Sequence, residues 1–206
     1  MKKEFPVKEL GAALIPSPLP LSSNSKHEEF HFVKNDVRIL HDVAVRPGGK
    51  EKNPLSFEQA GPRSHVYFDS SKVKAGIVTC GGLCPGINDV IRSIVMQLYH
   101  NYGVKRIQGF RYGYQGFIPD YKHEIIDLTP ILVKNIHNLG GSLLSSSRGP
   151  QDPVEIVDCL ERNNIRILFC IGGDGTLRGA HAIAEEIERR NENISIIGTP
   201  KTIDND

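Results

Sequence analysis

Three short runs carry residue types suited to phosphate chemistry. The first is Cys80-Gly81-Gly82-Leu83-Cys84-Pro85-Gly86-Ile87-Asn88. Paired glycines let backbone N–H groups approach an anion with no Cβ in the way. A following helix would add the free N–H groups and partial positive charge of its N-terminus. The plainer reading is a tight strand-to-helix turn, and the run matches neither G-x-G-x-x-G nor G-x-x-x-x-G-K-S/T. The second run, Gly172-Gly173-Asp174-Gly175-Thr176, sets a carboxylate between glycines. Such a carboxylate suits Mg2+, which takes one or two carboxylates together with phosphate oxygens and water. It equally suits the N-cap of a helix. The third run, Pro200-Lys201-Thr202-Ile203-Asp204-Asn205-Asp206, ends in carboxylates at i and i+2, a pattern for a general base and a metal-binding or orienting group, or for a solvated acidic turn. Arg148, in Ser145-Ser146-Ser147-Arg148-Gly149-Pro150, is either a surface charge or an anion clamp. Together the runs point to phosphoryl transfer. That reaction needs positioned phosphates, a divalent cation, donors for the equatorial oxygens and a base for the attacking hydroxyl.

The elements that must hold these runs follow from hydrophobic spacing. Residues 75–80 form a short apolar run that stops at glycines, as a buried strand does. Residues 87–99 carry apolar side chains at Ile87, Val90, Ile91, Ile94, Val95 and Leu98, which is helical spacing. Residues 104–109 read as a strand. Thr129-Pro130 is the start of a helix that Gly140-Gly141 ends. Asp152-Pro153 starts another, running to about Arg162. Residues 165–171 form a continuous apolar run fit for a central parallel strand. A helix from about Thr176 to Arg190 and a strand over 194–198 complete the pattern. This alternation predicts an α/β fold, a Rossmann-like parallel sheet with helices on both faces. Ligands of such sheets sit beyond the carboxyl ends of the strands, and each of the three runs falls just after a strand. Residues 1–70 differ. They hold Pro16, Pro18, Pro20, Pro47, Pro54 and Pro62, with only 37–40 and 43–45 strand-like, and read as an extended arm lying over a core or a neighbouring subunit. The α/β domain then covers 71–206.

Composition bounds the rest. The chain has 206 residues, and 25 Lys+Arg against 24 Asp+Glu give a net charge of +1. A hydrophobic fraction of 39% and a charged fraction of 24% exclude a wholly disordered chain. No run reaches the ~18 apolar residues of a membrane span. The near-zero charge offers no electrostatic case for nucleic acid or an acidic membrane. Four cysteines, Cys80, Cys84, Cys159 and Cys170, are too few for a disulfide framework in a chain of this length, and none has zinc-finger spacing. Residues 1–21 lack the apolar core of a secretion signal and carry Glu4 and Glu9 with no arginine. A reducing, cytoplasmic setting is the expectation.

The combination Gly81-Gly82-x-x-Pro85-Gly86-x-Asn88, Gly172-Gly173-Asp174-Gly175-Thr176 and Pro200-Lys201-Thr202-Ile203-Asp204-Asn205-Asp206 resembles the 6-phosphofructokinase family over residues 74–206. The stretch Gly109-Phe110-Arg111-Tyr112-Gly113-Tyr114-Gln115-Gly116 fits as well, and the arm resembles the longer plant, protist and bacterial branch. The middle motif alone is shared with NAD and diacylglycerol kinases, which leaves such a kinase as a competing reading. The resemblance implies Mg-ATP as phosphoryl donor and the 1-hydroxyl of fructose 6-phosphate as acceptor, in a homo-oligomeric, allosteric full-length protein. It implies that Gly82 offers its N–H to the donor phosphates, and that Asp174 binds Mg2+. Gly149, Gly173, Gly175 and Thr176 line the ATP site, with Tyr114 near the nucleotide. Arg148 steadies the transferring group. Thr202, Ile203 and Asp204 meet the sugar phosphate, Asp204 taking the proton, and Asp206 helps orient the site.

Two positions bear on the donor. Pyrophosphate-using members usually carry Asp where this chain has Gly175, and a carboxylate there would crowd and repel the α-phosphate of ATP. Lys201, in contrast, is associated with pyrophosphate use. The expectation is ATP, with pyrophosphate as the alternative. Family members continue into a second domain that supplies most of the sugar-phosphate pocket, so the sequence reads as a truncated form lacking that domain. Little kinase activity is expected of it alone, with a non-catalytic nucleotide-binding remnant as a further alternative, and an exposed apolar face is expected to favour association.

Overall fold

The computed structural model describes residues 7–21, 31–41 and 55–202. The strand expected over 43–45 and the residues Ile203, Asp204, Asn205 and Asp206 lie outside the described residues. The chain divides into two compact units, Met1–Phe68 and Asp69–Asp206.

In the first unit, β1 (Ile15–Pro16), β2 (Arg38–Leu40), β3 (Ser56–Glu58) and β4 (His65–Val66) form two antiparallel pairs, β1 with β4 and β2 with β3. The strand expected over 37–40 is β2, and the other three were not read from the sequence. Arg63 ties loops together here, donating to Lys34 O (3.1 Å) and to the Glu58 carboxylate (2.8 Å).

The second unit is built on β5 (Lys74–Thr79), α1 (Ile87–Met96), β6 (Arg106–Phe110), β7 (Ile125–Asp127), α2 (Pro130–Val133), α3 (Pro153–Arg162), β8 (Ile167–Gly172), α4 (Asp174–Arg189) and β9 (Ser195–Pro200). The sheet order is β7-β6-β5-β8-β9. All pairs are parallel except β6 with β7. The sheet is therefore mostly parallel, with one antiparallel edge strand that the apolar pattern did not disclose. Side chains alternate across it. Val78, Phe110, Leu168 and Cys170 join a buried cluster with Ile156, Val157 and Leu160 of α3 and with Ala180, Ile183 and Ile187 of α4. Ala75 and Ile77 point the other way and are fully buried, as are Ile91 and Val95 of α1. Helices thus cover both faces.

Local signals explain most boundaries. Asp152 caps α3 by accepting from Val154 N (2.9 Å), with Pro153 in the first turn, and the helix runs to Arg162 as expected. Thr129 likewise caps α2, accepting from Leu132 N (3.2 Å). The helix expected to continue to Gly140-Gly141 stops at Val133, however, and a 3₁₀ turn covers Ile136–Asn138. Lys134 O, which a continuing helix would pair with Asn138 N, accepts from Arg92 Nε of α1 (3.2 Å), and Asn138 N turns to Asn135 O (3.1 Å); Asn88 Nδ2 holds Leu139 O (3.0 Å). The 87–99 segment changes character too, ending in π-helical turns over Gln97–Asn101.

Candidate active site

The first strand of the five-stranded sheet, β5, lies at the centre of the order, with β6 and β7 on one side and β8 and β9 on the other. The order in which strands are added reverses between β5 and β8, and a crevice opens there beyond the carboxyl ends of these parallel strands. The first two glycine runs leave from these two strands. Cys80 N donates to Ile171 O (3.0 Å), extending the pairing to the sheet edge. Gly81 then turns away with φ +82°, and Gly86, with φ +87°, delivers the chain into α1. Both angles favour glycine. On the other side, a Cβ at Gly172 would collide with the Thr176 hydroxyl and lie 2.8 Å from Cys80 O, so only glycine lets the two loops touch.

The start of α4 differs from expectation. Gly173, not Asp174, is its N-cap, and Asp174 rather than Thr176 is its first residue. The Asp174 carboxylate makes no capping bond and is exposed. A Cβ at Gly175 would meet nothing within 4 Å. The amides of Asp174 and Gly175 precede the first intrahelical bonds, which Thr176 and Leu177 donate to Gly173 O (2.8 and 3.0 Å). Tyr114, 5% exposed, donates its hydroxyl to Thr176 O (2.8 Å), and Gly179 leaves room for its ring. Arg148 arrives from a third direction. Gly81 N donates to Ser147 O (3.0 Å), and a Cβ on Gly82 would lie 3.7 Å from Arg148 Nη2. The third run begins beside the second, with Lys201 N donating to Gly172 O (3.0 Å).

These groups line one cavity of about 740 Å³. Gly82, Tyr114, Arg148, Gly149, Gly173, Asp174, Gly175, Thr176 and Lys201, all singled out from the sequence, border it. A second cavity of about 670 Å³, with Ser142 and Ser145 in its wall, meets the first along Gly82 and Arg148. Thr202 is exposed and does not border either cavity. Ile203, Asp204 and Asp206 lie outside the described residues. Sequence reasoning missed Arg178 and Gln151, which also line the larger cavity. Arg178 lies four residues after Asp174 on the same helix, so helical spacing put both on one face.

The cavity's chemistry is that of a polyanion site. It combines glycine backbone, two arginines and a lysine with a single exposed carboxylate. Among the described residues, no group of three His, Cys, Asp or Glu side chains could hold a metal alone. The exposed Asp174 carboxylate on the cavity wall is of the kind Mg2+ takes together with phosphate oxygens and water. Burial, then the neighbouring Cys170, pushes the Cys80 thiol up to about 12, and burial pushes Cys170 up to about 12. Burial also raises the Tyr114 phenol well above its ordinary range.

A family model described as phosphofructokinase matches residues 74–206. The chain belongs to the phosphofructokinase family. The ATP-dependent 6-phosphofructokinase of Borreliella burgdorferi is 47% identical over 204 residues, covering 98% of this chain and 45% of the relative. That of Trypanosoma brucei brucei is 47% identical over 194 residues, covering 92% of this chain and 39% of the relative. A solved Pichia pastoris phosphofructokinase in the T-state superposes with a TM-score of 0.57 at 25% identity, over 74% of this chain and 18% of that one. The chain thus spans less than half the length of these curated phosphofructokinases.

Proposed function

We propose that this chain carries the nucleotide-phosphate half of an ATP-dependent 6-phosphofructokinase site, which moves the γ-phosphoryl group of Mg-ATP to the 1-hydroxyl of fructose 6-phosphate. The observation that carries the reading is the meeting of Gly82, Arg148, Asp174 and Gly175 on one cavity at the reversal point of the sheet. Gly82 and the first amides of α4 donate to the phosphates. Arg148, beside Gly82, holds the transferring group where negative charge gathers. Asp174 holds Mg2+, which neutralises charge on the donor phosphates. Gly149, Gly173, Thr176 and Tyr114 shape the nucleotide site. Thr202, Ile203 and Asp206 meet and orient the sugar phosphate, and Asp204 accepts the proton of its 1-hydroxyl. The work is positioning and electrostatics, with no covalent intermediate on the protein.

Gly175 supports ATP over pyrophosphate, because the open space in front of it admits the α-phosphate. A pyrophosphate-using reading draws on one observation, the lysine at position 201 on the cavity wall. A cytoplasmic location and a homo-oligomeric assembly of the full-length protein belong to the same proposal. None of the described helices is long and apolar enough to cross a membrane.

Isothermal titration of the 206-residue chain tests the reading. Mg-ATP should bind, Mg-pyrophosphate should bind more weakly, and Arg148→Ala should weaken both. Absence of Mg-ATP binding overturns the proposal, preference for pyrophosphate favours the second reading, and binding of NAD in place of ATP favours an NAD-type kinase.

A further inference from the structure

Asn88 closes the glycine motif of the first loop, yet nothing in the mechanism uses it. Its side chain is buried, with 3% exposure, and commits both ends to one segment. Nδ2 donates to Leu139 O (3.0 Å) and Oδ1 accepts from Leu143 N (2.8 Å). That segment, residues 139–147, has no regular secondary structure and leads directly to Arg148. It therefore owes its shape to bonds from elsewhere. Thr79 at the end of β5 donates its hydroxyl to Ser145 O (2.7 Å). Its single proton being spent there, Ser142 Oγ donates to Thr79 Oγ1 (2.8 Å). Ser146 Oγ donates to Gly81 O (2.6 Å), and Tyr112 N to Leu144 O (2.8 Å). Leu144, fully buried, sits where a Cβ on Gly109 would be. The segment is a strap laid across the sheet and pinned at its entry by Asn88, at its middle by Thr79 and at its exit by the Gly81 loop.

We infer that Asn88 is a positioning residue for Arg148, its buried amide fixing the strap that carries the guanidinium to Gly82. The inference rests on the reading in which Arg148 meets donor phosphates. Asn88→Asp keeps the shape and the acceptor for Leu143 N, and sets a carboxylate against Leu139 O. Without this bond the ligand must order the strap as it binds, and an ordering cost the size of one hydrogen bond lowers affinity about tenfold.

The test is a double-mutant cycle on the full 206-residue chain with Mg-ATP in titration calorimetry, alongside hydrogen exchange without ligand. Asn88→Asp should bind about tenfold more weakly than wild type. In an Arg148→Ala background it should cost nothing further. Exchange should quicken over 139–148 and stay unchanged in α3 and α4. Thr79→Val, which removes the middle pin, should repeat the pattern and replaces Asn88→Asp in the cycle if the latter does not fold. Equal losses in both backgrounds, or faster exchange throughout the second unit, would overturn the inference and leave Asn88 a plain core amide. If wild type binds no Mg-ATP, the phosphate reading falls, and localised against general exchange still decides whether Asn88 pins the strap.

Discussion

Replacing Gly175 by Asp tests the donor site most directly. The position is the second residue of α4, where a Cβ meets nothing within 4 Å, so a side chain enters the cavity without moving the backbone. Folding stability should hold or rise slightly. An acidic side chain in a first turn is favourable by about 0.3–1 kcal/mol, and the gain in helix propensity over glycine offsets repulsion from Asp174. Binding should suffer. A carboxylate about 5 Å from a phosphate charge costs roughly 1 kcal/mol in bulk water and about 3 kcal/mol at the effective dielectric of a protein surface. Gly175 is exposed, so the lower part of that range applies. About 1–2 kcal/mol corresponds to a roughly 5- to 30-fold loss of Mg-ATP affinity. Calorimetry at two salt concentrations measures it, and the loss should shrink at high salt because solvent-exposed charges are screened. Pyrophosphate, lacking an α-phosphate and its nucleoside, should lose less than ATP. Unchanged ATP affinity, or a loss matched by a fall in melting temperature, would refute the placement of Gly175 against the donor.

Two further outcomes follow from individual groups. Asp174→Asn, nearly isosteric, should bind metal-free ATP at least as well as wild type while losing most of the gain from added Mg2+; titrations with and without the ion check this. Glu186 is held down to about 2 by hydrogen bonds from Arg189 (2.7 and 2.6 Å) and then Arg190 (2.6 Å). Because the folded value lies below the ordinary 4.5, its contribution to stability is complete above about pH 4.5 and is lost as pH falls towards about 2. Glu186→Gln should therefore flatten the melting temperature over that interval, and an unchanged slope would contradict the assignment.

What was legible in the sequence was whatever local chemistry decides. Continuous apolar runs announced β5 and β8, and a capping Asp followed by Pro fixed α3 at its start. The order of strands and glycine loops was enough to bring Gly82 and Asp174 to one rim, because parallel strands put their carboxyl ends together, whereas Arg148 follows no strand and only the family resemblance pointed to it. The failures are non-local. Strand β7 is three residues long and exists through its pairing with β6. The segment after α2 is held by residues more than forty positions earlier in the chain, Arg92 on Lys134 O and Asn88 on Leu139 O, contacts that local propensity does not announce. The same long-range bonding makes Asn88 a structural pin, which its place in a glycine motif did not reveal. Arg178 carries no loop-motif signal, and only its spacing four residues after Asp174, on the same helix face, marks it.

The start of α4 shows how this fold keeps its chemistry free. An acidic residue beside a helix start is normally spent on capping, which contributes about 1 kcal/mol. Here the cap is Gly173, and the first turn is fixed by groups behind it. Thr176 packs over Gly172, the Tyr114 hydroxyl holds Thr176 O, and Gly179 makes room for the ring. The Asp174 carboxylate makes no capping bond and borders the cavity with Gly175, and the amides of both precede the first intrahelical bonds. Tyr114→Phe should then weaken phosphate binding through loss of order in α4's first turn even though the hydroxyl is spent on Thr176 O. A variant that binds Mg-ATP with wild-type affinity would show that the turn holds itself.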